Sequence, residues 1–156
     1  MSKISVLMSV YKKENPEYLR ASLESILVQT RTADEILLIE DGPLTQELYQ
    51  VVAEYQKKCD YLHVHAMEQN VQLGRALAKG VELCQYDLIA RMDTDDIAMP
   101  HRLEKEGAYM EAHPEVDVVG GAIREFNDEG TIDRVKNMPK TQEEILEYVK
   151  VRNPLN

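Results

Sequence analysis

A chain of 156 residues with 44% hydrophobic content is the size of one domain and carries enough apolar material for a continuous core. With 18 Lys and Arg against 28 Asp and Glu, the formal net charge of -10 sets the chain as a whole against nucleic acid and anionic lipid as partners. Cys59 and Cys84 form no CxxC pattern, which points to reduced thiols in a cytoplasmic setting, and no apolar stretch approaches the roughly 18 residues that a membrane span needs.

MSKISVLMSV is too short and too alternating for a signal peptide, and its ISVLMSV (4–10) reads as a strand. Asn15 before Pro16 is a good helix start, after which Leu19, Leu23, Ile26 and Leu27 fall on one face. EILLIE (35–40) is a second strand, and Leu48, Val51, Val52 and Tyr55 mark a second helix. YLHVHA (61–66) is a third strand. The helix after it sets Leu73, Ala76, Leu77, Gly80, Val81 and Cys84 at helical spacing, small residues included, with Cys84 as core filling. YDLIARM (86–92) is a fourth strand, and Pro100 is expected to open a helix with Leu103 and Met110 facing inward. Beyond residue 115, VDVVGGAIREF, the turn-like NDEG and TIDRVKN suggest a β-hairpin, and Thr141 with Glu144 is a capping box for a last helix through Val149. Apolar strands separated by helices of this length predict an α/β class with a mostly parallel central sheet covered on both faces.

Ligands of open α/β sheets bind at the carboxyl ends of the strands, where this sequence places its polar groups. Ser9 and Tyr11 follow the first strand, Asp41 and Gly42 the second, Asn70, Gly74 and Arg75 the third, and Asp93, Asp95 and Asp96 the fourth. Three carboxylates within four positions repel one another unless solvent, donors or a cation offsets the cost. A solvated turn needs one of them, and Asp96 is expected to cap the following helix. An EF-hand count puts Asp93, Asp95 and Glu104 at positions 1, 3 and 12, but Ile97 and Ala98 fill its middle. What remains is Mg²⁺ or a similar ion held by one or two carboxylates and completed by substrate phosphates. Asp41 fits turn chemistry and hydrogen bonding to a base or sugar equally well; Asn70 could cap a helix, and Arg75 could be solvated surface. His63 and His65 share a strand face without a third ligand candidate for zinc.

ISVLMSVY, SLESILVQT, EILLIEDG, NVQLGRALAKGVELC, YDLIARMDTDDIAMPHRLEKE and VVGG, in this order and spacing, resemble the family 2 glycosyltransferases, from residue 4 to the end of the chain. The resemblance implies a Rossmann-like GT-A nucleotide-binding domain over 1–156. It also implies transfer of a sugar from a nucleotide diphosphate donor, commonly a UDP-sugar, to a carbohydrate or lipid-linked acceptor, usually with inversion and with Mg²⁺ or Mn²⁺. It places Ser9 and Tyr11 beside the nucleotide, Asp41 on the base, Asn70, Gly74 and Arg75 along the pocket, Asp93 toward the ribose or metal, and Asp95 on the metal as the last residue of a DxD motif. Glu40-Asp41-Gly42-Pro43 stands where the family has Asp-Asp-Gly-Ser, and Lys12 where it often has Asn. The family's general base is expected after residue 156, in an acceptor-binding part, so that the chain reads as cut. The full-length protein would work in the cytoplasm, with a peripheral place at the inner face of the membrane left open. A sugar nucleotidyltransferase, which would need a Gly-rich basic N-terminal loop, a nucleotide-sugar-binding module without turnover, and a purely structural α/β protein are the alternatives.

Overall fold

The computed structural model describes residues 2–127 and 132–154. The elements run β1 (Ile4–Val10), α1 (Pro16–Leu27), β2 (Glu35–Glu40), α2 (Gln46–Lys58), β3 (Leu62–Ala66), α3 (Leu73–Leu83), β4 (Leu88–Asp93), α4 (Arg102–Ala112), β5 (Ile123–Phe126), β6 (Asp133–Lys136) and α5 (Gln142–Tyr148). They divide into two compact units, Met1–Ala108 and Tyr109–Asn156.

In the first unit β1 to β4 form a wholly parallel sheet in the order β3-β2-β1-β4. The period-2 alternation of β1 divides the core. Ile4, Val6, Met8 and Val10 pack with Leu19, Leu23 and Ile26 of α1 and Leu48, Val51, Val52 and Tyr55 of α2. Leu7, on the opposite face, packs with Leu37, Ile39 and Ala76 of α3. Gly80 lets α3 lie close on the sheet: a Cβ there would run into Leu7 Cδ1 and stand 3.2 Å from Ile39 Cγ1. At the amino end of the sheet the buried Ser5 hydroxyl donates to Glu35 at 2.5 Å, and the Gln85 N–H donates to the same carboxylate at 2.8 Å, tying the α3–β4 connection to β2.

Helix ends follow local chemistry. Asn15 accepts from the Glu17 N–H ahead of Pro16, and Thr45 accepts from the Leu48 N–H to start α2. Two expectations need correction. Pro100 does not open α4: the first helical bond runs from the Lys105 N–H to the His101 carbonyl at 3.0 Å, the Pro100 carbonyl instead accepts the Thr30 N–H at 2.9 Å, and the helix begins at Arg102. On α3, Leu73 and Val81 are 48% and 54% exposed, because the buried line runs through Ala76 and Gly80 alone.

In the second unit β5 and β6 pair antiparallel, Ile123 opposite Lys136 and Phe126 opposite Asp133. Arg124 makes a two-pronged pair with Asp133, both contacts at 2.6 Å. The hairpin is shorter than its sequence suggests, since residues 116–122 are irregular and the Gly120-Gly121 pair there disfavours a strand. Of the NDEG turn, residues 128–130 lie outside the described residues. The Thr141–Glu144 capping box is formed as the sequence predicts.

Candidate functional site

The chain runs from β1 outward to β3 and then returns to the other side of β1 with β4. The switch therefore lies between β1 and β4, and ligands of open α/β sheets bind in the crevice beyond the strands' carboxyl ends at such a point. At that end Ser9 is in register with Asp93, and Val10 with Glu40. Topology thus brings the carboxyl ends of β1, β2 and β4, three of the four strand ends where the sequence places polar groups, side by side.

On the β4 side, Asp93, Asp95 and Asp96 each offer a carboxylate oxygen, all within 4.8 Å of one another. Asp93 is half-buried and pairs with the Arg91 guanidinium, whereas Asp95 and Asp96 are exposed. Partial desolvation of the Asp96 carboxyl by neighbouring protein atoms, then the charges of Asp95 and Asp93, push its pKa up against the opposing pull of Arg91 and Arg102. Three carboxylates gathered this closely form a set of hard oxygen donors, the chemistry of a Mg²⁺ or Mn²⁺ site, so the residues present fit such an ion. Asp96 does not cap α4, contrary to expectation: the Leu103 N–H is met by Gln29 Oε1 at 3.1 Å.

Between these carboxylates Thr94 turns inward and is buried. Its hydroxyl donates to Glu14 at 2.6 Å and lies 3.3 Å from the Ser9 carbonyl. Glu14, which no motif in the sequence marks, therefore ties the β1–α1 loop, with exposed Tyr11, to the acidic segment. Its only signal is position, three residues after Tyr11 in a loop at a strand end.

On the β2 side Asp41 is only 4% exposed, and its carboxylate faces the β3–α3 loop. One oxygen accepts the Val71 N–H at 2.6 Å and the other accepts Asn70 Nδ2 at 2.9 Å; Asn70 Nδ2 also lies 3.2 Å from the Asp41 carbonyl. Gly42 makes this approach possible. Its φ is +83°, and a Cβ would sit 2.6 Å from the Asn70 backbone nitrogen. Beside it, burial pushes the Glu40 carboxyl pKa up. Asn70 is thus a partner of Asp41 and not a helix cap.

The cap position of α3 belongs to Gln72, which has a φ of +73° and makes no side-chain capping bond. The first N–H groups of α3 thus have no side-chain cap, and a helix N-terminus of this kind suits an anion. Gly74 and Arg75 occupy this first turn, both exposed, and a Cβ on Gly74 would meet nothing within 4 Å.

A parallel α/β sheet gathers acidic, amide and helix-terminal groups at its switch point, the place where ligands of open α/β sheets bind. The chain belongs to glycosyl transferase family 2, whose sequence pattern matches residues 5–155. It is 46% identical over 155 residues to a glycosyltransferase of Haemophilus influenzae, covering 99% of this chain and 58% of that protein. It is 43% identical to the amylovoran biosynthesis glycosyltransferase AmsE of Erwinia amylovora, covering 97% of this chain and 56% of that protein. It is 35% identical to the UDP-Gal:alpha-D-GlcNAc-diphosphoundecaprenol beta-1,3-galactosyltransferase of Escherichia coli, covering 99% and 56%. The chain thus spans little more than half the length of these relatives. Among solved structures, S. aureus TarS 1-349 in complex with UDP has the same fold, with a TM-score of 0.63 at 23% identity over 72% of this chain and 33% of that one. The GT-A fold implied by the sequence motifs is the fold observed. No helix among the described residues is long and apolar enough to cross a membrane.

Proposed function

We propose that this chain holds a nucleotide diphosphate sugar donor, a UDP-sugar, for an inverting, metal-dependent glycosyl transfer to a carbohydrate or lipid-linked acceptor. The observation that carries the proposal is the convergence of Asp93, Asp95 and Asp96 at the switch point of a family 2 glycosyltransferase sheet. A relative named for UDP-Gal and a structural neighbour crystallised with UDP support the choice of donor.

Asp95 and Asp93 would hold Mg²⁺ or Mn²⁺, which supplies Lewis-acid stabilisation of the charge that develops on the leaving diphosphate. Arg91, paired with Asp93, keeps a positive charge beside the carboxylates. The first turn of α3, with Gly74 and Arg75, offers N–H groups and a cation to phosphate oxygens. Asp41 serves the base side: each of its oxygens spends one lone pair on the β3–α3 loop and keeps another for a donor such as the uracil N–H. Ser9 and Tyr11 lie on the β1 side of the same crevice. The acceptor hydroxyl would attack the anomeric carbon from the face opposite the diphosphate, giving its proton to a general base of the acceptor-binding part as the bond to the diphosphate breaks, which inverts that carbon.

Calorimetric titration of the chain with UDP, with and without Mn²⁺, tests this. Mn²⁺ should raise UDP affinity in the wild type, and Asp95→Ala should abolish that enhancement while melting as the wild type does, because Asp95 is exposed and lies beyond the last residue of β4. Metal-dependent affinity that survives Asp95→Ala refutes the proposal.

A further inference from the structure

The buried face of α1 carries a polar line among its apolar residues. Leu19, Leu23 and Ile26 are in the core, but so are Ser22 at 0% exposure and Ser25 and Gln29 at 6% each, the last just past the helix end. Polar groups taken from water at a helix face weaken a fold unless they are hydrogen-bonded. All three are, and their bonds converge on one stretch of main chain far away in sequence, at separations of 71, 73 and 74 residues.

The Ser22 hydroxyl donates to the Asp93 carbonyl at 3.0 Å. Ser25 Oγ accepts the Ala98 N–H at 3.0 Å and donates to the Ser22 carbonyl at 2.7 Å. Gln29 Nε2 donates to the Ser25 and Met99 carbonyls, both at 2.9 Å, and Gln29 Oε1 accepts the Leu103 N–H at 3.1 Å. The opposite orientation of the amide would set oxygen against two carbonyls, so this network fixes it. Helix α1 and Gln29 just beyond its end therefore grip the backbone at 93, 98, 99 and 103. The segment between β4 and α4 has no ladder of its own, and it contains Asp95 and Asp96.

That grip has a consequence for the carboxylates. Like charges this close favour a segment that splays open, whereas a cation needs the oxygens already gathered. We propose that Ser22, Ser25 and Gln29 are positioning residues that preorganise the Asp93–Asp96 segment for divalent cation binding. They touch neither metal nor donor; they fix the backbone from which the ligating side chains project. The proposal rests on the metal-site assignment made above and adds the residues that set its affinity. Outer-shell partners of metal ligands typically change metal affinity by about 10–100-fold when removed.

The test compares Ser22→Ala, Ser25→Ala and Gln29→Met with Val51→Ala, a core truncation on α2 that loosens the fold without touching the segment. The two serine variants lose one hydroxyl each and keep the apolar face of α1, so they should fold even where Gln29→Met does not. For each folded protein, Mn²⁺ is titrated calorimetrically at saturating UDP, UDP is titrated at saturating Mn²⁺, and the melting temperature is recorded. The expected result is a Mn²⁺ midpoint raised about tenfold or more in the α1 variants, with UDP affinity at saturating Mn²⁺ within about twofold of wild type. Val51→Ala, at an equal or larger loss of melting temperature, should leave the Mn²⁺ midpoint in place. A midpoint that moves no further in the α1 variants than in Val51→Ala overturns the proposal, as does an equal loss of UDP affinity at saturating metal. A wild-type chain indifferent to Mn²⁺ shows instead that the metal-site assignment itself has failed, a result read from the wild-type curve alone.

Discussion

Replacing Asp41 by asparagine separates what its carboxylate does for the fold from what it does for a ligand. The native group accepts two hydrogen bonds, from the Val71 N–H at 2.6 Å and Asn70 Nδ2 at 2.9 Å, in a place only 4% exposed. An amide has one oxygen. Whichever way the new side chain turns, its NH₂ meets one of the two donors, and turning Asn70 over to compensate would set its oxygen against the Asp41 carbonyl 3.2 Å away. One charge-assisted bond becomes neutral and the other is lost, a destabilisation of about 1–3 kcal/mol. For a chain of this size each kcal/mol moves the melting temperature by roughly 2–4 °C, so Asp41→Asn should melt about 2–12 °C below wild type at neutral pH. Adding Asn70→Asp restores a donor–acceptor match across the pair, and the double variant should recover part of the loss, with a coupling of about 0.5–3 kcal/mol. Recovery is incomplete because the bond to the backbone carbonyl of position 41 is gone. Thermal unfolding followed by circular dichroism measures all three proteins. A single variant that melts within about 1 °C of wild type, or a double variant whose loss is the sum of the singles, would show that Asp41 does not hold the β3–α3 loop.

Two glycines of α3 should respond oppositely to alanine. Gly80→Ala drives a methyl into Leu7 and should cost up to about 2 kcal/mol after the helix-propensity gain is counted, whereas Gly74→Ala opens onto free space and should leave stability unchanged or raised by up to about 1 kcal/mol. Denaturant unfolding checks both, and a stabilising Gly80→Ala would contradict the close helix–sheet contact. Glu54 accepts from Lys58 at 2.8 Å and Arg20 at 2.5 Å, and these bonds lower its pKa from 4.5 to about 2. A carboxylate depressed in the folded state contributes stability that is present above its unfolded pKa and lost as pH falls through the folded one. Glu54→Gln should therefore flatten the dependence of stability on pH between 4.5 and about 2, an effect that added salt diminishes in the wild type. Urea unfolding across that window is the measurement, and equal slopes would remove Glu54 from the account.

How much of this was legible in the sequence depends on where each residue finds its partner. The two central strands announce themselves because burial on both faces demands continuous apolar runs, and ISVLMSV and EILLIE are such runs with the observed bounds. The acidic cluster is legible for a similar reason: its chemistry sits in the side chains themselves, adjacent in sequence. Periodicity misled on α3, where Leu73 and Val81 share the helical spacing of Ala76 and Gly80 but lie outside the narrow strip that a closely packed helix buries. The proline signal misled at Pro100, whose carbonyl is taken by Thr30, a residue 70 positions earlier, while the helix starts at Arg102.

The least legible features are the bonds from polar side chains to distant backbone. Ser22, Ser25 and Gln29 have ordinary hydropathy for an amphipathic helix, and a reader of the sequence assigns such residues to solvent. Their spacing among Leu19, Leu23 and Ile26 is the one available signal, since a polar residue on the apolar face must find a partner inside the fold. That partner is a carbonyl or N–H, which nearly every residue possesses, so composition cannot point to it. The same holds for Asp41, whose turn-like context in EDGP hides bonds to residues 29 and 30 positions on. Both cases serve one end. The side chains that would meet a ligand are displayed on irregular loops, where repulsion and entropy work against a fixed geometry, and the groups that hold those loops in place are buried on the neighbouring regular elements, invisible until the chain is folded.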